Sequence, residues 1–194
     1  MTAPVENIGD PVGHLPVSLK RICIRPIDLG TPAITGSYAA MLGEAAAVCL
    51  EENSHASGVA LNLAGLSTEA FAIQWQQLEA AHQSTYKDLQ EATEFGAYGV
   101  ALVVIREVTG KTAIERSAKG GGFDWWIGDS DDPSGLPFHG KTRLEVSGIL
   151  RDRGGALQAR LEIKKRQTDP SDSLAPAIIA IVEFGQPTAH IEVK

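Results

Sequence analysis

Along the chain, stretches in which hydrophobic and polar residues alternate give way to stretches in which hydrophobic residues recur every three or four positions. The first period marks strands and the second marks helices. The run "VSLKRICI" (17–24) alternates and is closed by "DLGTP", which predicts a strand. "SYAAMLGEAAAVCLEEN" (37–53) is rich in alanine and leucine, with Ser37 placed to cap it, so a helix is predicted there. "GVALNLAG" (58–65) and "FAIQW" (71–75) read as two short strands around the turn-like "LSTE". The proline-free stretch 78–108 has a helical stripe of Leu89, Ala92, Thr93, Gly96, Ala97, Val100, Ala101 and Val104, and predicts one long helix ended by Gly110. Small residues on that stripe suit close packing on a sheet.

Three strands are predicted next: "TAIERSAK" (112–119), "GFDWWIGD" (122–129) and "KTRLEVSGIL" (141–150), the last two joined by a polar, proline-containing loop. "RGGALQARLEIKKRQT" (153–168) fits a helix, "AIIAIVEF" (177–184) a buried strand, and "TAHIEVK" (188–194) a final edge strand. From residue 78 the order is therefore helix, three strands, helix, strand. The fold class expected is α/β of the mixed α+β kind, a central mixed sheet flanked by helices. Residues 1–76 form an N-terminal extension of the same domain and residues 77–194 its core.

Composition narrows the class. The 194 residues, 43% hydrophobic and 21% charged, suit one globular domain. The longest apolar run, 100–105, is too short to cross a bilayer, and residues 1–10 are acidic and polar rather than a signal peptide, so a cytoplasmic protein with no membrane contact is expected. Cys23 and Cys49 lack metal-ligand neighbours and read as reduced thiols. The net charge of −7 disfavours tight, non-specific nucleic-acid binding by this chain alone. It leaves room for carboxylates as metal ligands, and for a protein partner or multi-subunit complex that supplies basic surface.

The chemistry concentrates on the second and third strands of the core. Glu145 and Ser147 stand two apart on one strand and share a face, while Asp124 lies on the preceding strand, its antiparallel neighbour if a hairpin joins them. Two carboxylates on adjacent strands converge on a point, and two carboxylates completed by water and a substrate phosphate are what Mg²⁺ accepts. Strand alternation would put Asp124 and Trp126 on one face and Phe123 and Trp125 on the other. An ion pair from Asp124 to Arg143 or Lys141 accounts for the aspartate as cheaply.

On these residues the chain resembles the restriction-endonuclease-like superfamily, the PD-(D/E)xK phosphodiesterases. Their core runs helix, three strands, helix, strand, with an aspartate on the second strand and Glu-x-Lys on the third. The resemblance covers about residues 80–185 and implies Asp124 of "GGGFDWWIG" and Glu145 of "RLEVSG" as catalytic metal ligands for Mg²⁺, joined by a helix carboxylate, Glu94 or Glu91. Ser147 stands where that pattern has its lysine. Arg160, Lys164 and Gln167 share a helical face that can look into the same cleft, and Lys164 is the substitute the resemblance implies as a catalytic cation.

Other motifs carry less. Gly120, Gly121 and Gly122 join strand to strand and lack the helix and Lys-Ser/Thr pair of a phosphate loop, so they read as a hairpin or bulge. His14, His55, His82, His139 and His190 show no paired metal spacing, and "EVSGI" is no nucleophile elbow. Two functions stay open. One is a Mg²⁺-dependent nuclease, or the nuclease-like subunit of a bacterial defence or mobile-element system. The other is a non-catalytic protein-binding module that keeps the fold and offers Trp125 and Trp126 as anchors.

Overall fold

The computed structural model describes residues 19–24, 31–130 and 140–194. The lead-in 1–16, His14, His139 and the loop around it lie outside the described residues. The elements in order are β1 (Lys20–Cys23), α1 (Gly36–Glu52), β2 (Ala60–Gly65), β3 (Ala70–Gln74), α2 (Ala80–Thr85), α3 (Leu89–Thr109), β4 (Thr112–Arg116), β5 (Trp125–Gly128), β6 (Thr142–Ile149), α4 (Ala156–Thr168), a 3₁₀ turn (Asp169–Ser171), β7 (Ala177–Glu183) and β8 (Thr188–Val193). The expected helix, three strands, helix, strand is met by α3, β4 to β6, α4 and β7.

Two expectations about helices are corrected. The long helix is two helices, because Asp88 turns its side chain onto the N–H groups of Gln90 and Glu91 and starts α3 afresh. No proline or glycine between residues 78 and 95 marks this break in the sequence. Helix α1 is capped by Thr35, whose hydroxyl accepts from the Tyr38 N–H, rather than by Ser37.

All eight strands form one sheet in the order β1-β3-β2-β8-β7-β6-β5-β4. The meander β4-β5-β6 is antiparallel, β6 and β7 are parallel across the α4 crossover, and β8 runs antiparallel to β7 and parallel to β2. The last strand is therefore central and not an edge, a third correction to the sequence expectation. Its burial alternates because Ala189 and Ile191 join the apolar cluster under α1 and α3 while the residues between them lie on the other face. Through β8 the N-terminal strands join the same sheet as the core.

Helices α1 and α3 cover one face in a single apolar cluster with Leu144, Val146, Ile178, Ala180 and Val182. Helix α4 covers the other, with Leu161 on Ile149, Ile179 and Ile181. The small residues of α3 serve its contact with α1 as well as with the sheet: a Cβ on Gly96 would stand 2.9 Å from the Ala46 Cα. Cys23 and Cys49 are free thiols, the latter buried and pushed up to about 12 by that burial. Among the described residues no helix is long and apolar enough to cross a membrane.

Candidate functional site

The site begins where β5 and β6 part. Their register pairs Trp125 with Leu144, which sets Asp124 opposite Glu145 one step further on. The Asp124 N–H donates to the Leu144 carbonyl (2.8 Å), the last main-chain bond of this ladder. The next donor, the Val146 N–H, goes to Asp124 Oδ2 at 2.9 Å. The carboxylate thus takes the place of a strand carbonyl and fills the gap between the strands.

Its other oxygen, Oδ1, accepts from the Tyr98 hydroxyl of α3 at 2.7 Å. The Arg116 guanidinium stands 3.7 Å from the same oxygen, lies over the Tyr98 and Trp125 rings, and donates to the Tyr98 hydroxyl. Burial, reinforced by the Asp124 charge, pushes the Tyr98 phenol up from its ordinary value, so it stays protonated and donates. Asp124 is held from three sides.

Glu145 is 1% exposed. One oxygen, Oε1, accepts from Lys164 Nζ of α4 at 2.5 Å, while Oε2 has no hydrogen-bond partner among the described residues. Burial, and next the neighbouring Asp124 charge, raise its pKa to about 7 against the pull of Lys164. Lys164 also donates to Gln167 (3.0 Å), and Arg160 donates to the Ser147 hydroxyl (3.3 Å).

These helix-to-strand bonds follow one register. Residues two apart on a strand are about 6.6 Å apart, and residues four apart on a helix about 6 Å. Helix α4 runs antiparallel to β6, so the two ladders keep step: Thr168 meets Arg143, Lys164 meets Glu145, Arg160 meets Ser147, and Leu157 packs in the cluster that holds Ile149. The glycine loop tightens this arrangement from the side. Gly122 has φ +75°, and a Cβ there would stand 2.7 Å from the Gln167 carbonyl at the C-terminal end of α4.

Asp124, Glu145, Lys164 and Arg160 open onto a cavity of about 790 Å³ that is also lined by Tyr98 and Glu94. The chain matches no family model, no curated protein and no solved structure. The chemistry of the site has to be read from its own residues.

The structure brings Asp124, Glu145 and Lys164 together. Glu94 lines the same cavity and Glu91 does not; among the described residues no group of three His, Cys, Asp or Glu side chains is placed to hold a metal ion. Three further expectations are corrected. Arg143 does not pair with Asp124; it is buried on the α4 face and donates to Thr168 O, Ser171 Oγ, Ala175 O and Asp172. Trp125 and Trp126 are not exposed anchors, being 2% and 7% exposed. Trp125 packs beside Tyr38 and Tyr98, and Phe123 meets Trp126 edge-on at 4.8 Å, so Phe123 sits with Trp126. The alternation fails because β5 starts only at Trp125.

Tyr98 and Arg116 were not among the residues expected at the site. A signal existed for both: Tyr98 lies one turn beyond Glu94 on the same helix, and Arg116 ends the strand whose register sets it across from Trp125.

Proposed function

We propose that the chain is a metal-dependent phosphodiesterase of the nuclease-like kind. The observation that carries this is the pairing of Asp124 and Glu145 across two parting strands, with the Lys164 ammonium on the second carboxylate, at the wall of one cavity. The order α3, β4 to β6, α4, β7 supports the resemblance to PD-(D/E)xK enzymes.

The residues suit a divalent cation. A buried carboxylate oxygen without a partner and two acids close enough for one to raise the pKa of the other are a poor resting state, and shared Mg²⁺ would relieve both. Asp124 and Glu145 would hold it, and when bound it would polarise a phosphodiester and supply hydroxide at neutral pH. Tyr98, the Val146 N–H and Arg116 fix the orientation of Asp124 before substrate arrives. Lys164 keeps a positive charge next to the carboxylates, where it stabilises negative charge developing on a phosphate oxygen. It reaches that place from the helix, so Ser147 in the strand is no obstacle. The partner-binding alternative loses its aromatic anchors with the burial of both tryptophans.

The test is cleavage of DNA and RNA oligonucleotides in Mg²⁺ or Mn²⁺. Asp124→Ala is expected to lower the rate about 10³-fold, the order of several kcal/mol of charge stabilisation. Asp124→Asn, which keeps an acceptor for Tyr98 or Val146, should lose activity with a smaller drop in Tm. Equal background cleavage by the parent and both variants would remove the reading.

A further inference from the structure

Six of the described lysines and arginines are held by carboxylates. Lys20, Arg116, Arg143, Lys164, Lys165 and Lys194 each stand within ion-pair distance of a carboxylate. The three arginines that line the cavity do not. Arg151 donates to the Asn53 side chain and the Glu52 carbonyl, Arg160 to the Ser147 hydroxyl, and Arg153 makes no hydrogen bond or ion pair among the described residues. The cavity also carries the Glu52, Glu94, Asp124 and Glu145 carboxylates, yet none of them stands within ion-pair distance of these three guanidinium groups, so in a chain of net charge −7 the three can take an anion from outside.

Arg160 is the best placed of them. The helix-to-strand register sets it one turn from Lys164, about 6 Å along the axis. That is comparable to the separation of successive phosphates on an extended strand. The Ser147 bond uses Nη1, Nη2 makes no bond among the described residues, and a planar guanidinium fork at the cavity wall suits phosphate oxygens. A carboxylate at 147 would have neutralised the group, and a lysine would have repelled it. Exposure rises from buried Glu145 through half-buried Lys164 to exposed Arg160 and Arg153, so the positive charge forms a line leading outward from the carboxylate pair.

We infer that Arg160, seated on Ser147, binds the phosphate next to the one held at Asp124 and Glu145, and that the ligand is a single phosphodiester strand rather than an isolated phosphate ester. The inference rests on the phosphodiesterase reading for the identity of the first phosphate. Serine at 147 then has its own task, which is to aim the second cation while the helix supplies the first. Sequence-tolerant binding of a strand through its backbone needs such a charged track.

The test is binding, kept apart from cleavage. Fluorescein-labelled 12-nucleotide oligothymidylate and oligouridylate are titrated with the full chain in Ca²⁺, read by anisotropy over a range of salt concentrations. Arg160→Gln is expected to weaken whichever of the two binds about tenfold, and to lower the slope of log affinity against log salt by about 0.7, the value for one phosphate contact on a single strand. Ser147→Ala, which removes only the seat, should weaken binding two- to threefold. An Arg160→Gln protein with unchanged affinity and slope overturns the inference, even if the parent cleaves both oligonucleotides in Mg²⁺. Binding that depends on Arg160 without cleavage in Mg²⁺ or Mn²⁺ keeps the inference and overturns the phosphodiesterase reading. A parent that binds neither strand overturns the inference outright.

Discussion

On one face of β6, Leu144 and Val146 lie in the apolar cluster under α3; on the other, Arg143, Glu145 and Ser147 are as deeply buried under α4, and each carries a polar group. The two sets alternate residue by residue along one backbone. Burial alone therefore does not separate scaffold from site. What separates them is how each side chain is satisfied: by volume on the first face, by a named partner on the second. The covering helices differ in the same way. Helix α3 buries ten residues and α4 only Leu161 and Thr168, so α3 is held by packing and α4 largely by bonds to β6 and its own end caps.

This contrast can be broken from either side. The largest effect is expected on the apolar face, where Leu144→Ala should cost about 3 kcal/mol and lower Tm by roughly 6–12 °C. Oligonucleotide binding well below the Tm should be unchanged; a parallel loss of binding would show that the faces are not independent.

On the polar face, Glu145 has a pKa raised from 4.5 to about 7. In the folded protein it holds its proton longer than in the unfolded chain. Its contribution to stability is thus present below pH 4.5 and lost as the pH rises through 7. In EDTA the parent should lose up to about 3 kcal/mol between pH 4.5 and 8, whereas Glu145→Gln, which cannot ionise, should be nearly flat. Urea midpoints at the two ends of that range decide it, and the same slope in both proteins would clear Glu145 of the effect.

The smallest change is at the entrance to α4. Asp152 accepts from the Gly154, Ala156 and Leu157 N–H groups, bonds that hold its carboxyl below the usual carboxylate range. Asp152→Ala should lower Tm by about 2–4 °C. It should also weaken oligonucleotide binding slightly, because a frayed α4 no longer presents Arg160 in register. A drop in Tm with no change in binding would mean that the Ser147 seat alone positions Arg160.

Much of this was legible in the sequence because it depends on local periods. The strands of the core, the helix that carries Lys164, and the convergence of Asp124 with Glu145 all follow from counting by two or by 3.6. Features set by distant pairing were not legible. The position of β8 between β2 and β7 leaves no mark distinguishing it from an edge, since its residues alternate either way. The break at Asp88 was hidden because no proline or glycine interrupts residues 78–95. The α4 register was partly available: the i, i+4 spacing of Arg160 and Lys164 and the i, i+2 spacing of Glu145 and Ser147 are both in the chain. Knowing that the helix runs antiparallel to the strand is what joins them. The hold of Tyr98 and Arg116 on Asp124 needed the third dimension altogether.

The central place of β8 has a consequence for how the protein is made. Until β8 emerges, β2 and β7 each present an unpaired edge, and the sheet exists as two halves with nothing between them. Vectorial synthesis delivers the other seven strands of this sheet first, so both half-sheets carry an open edge until β8 arrives. A stall just upstream of Thr188 would leave the Asp124 and Glu145 strands already paired with each other and both inner edges open to any passing strand.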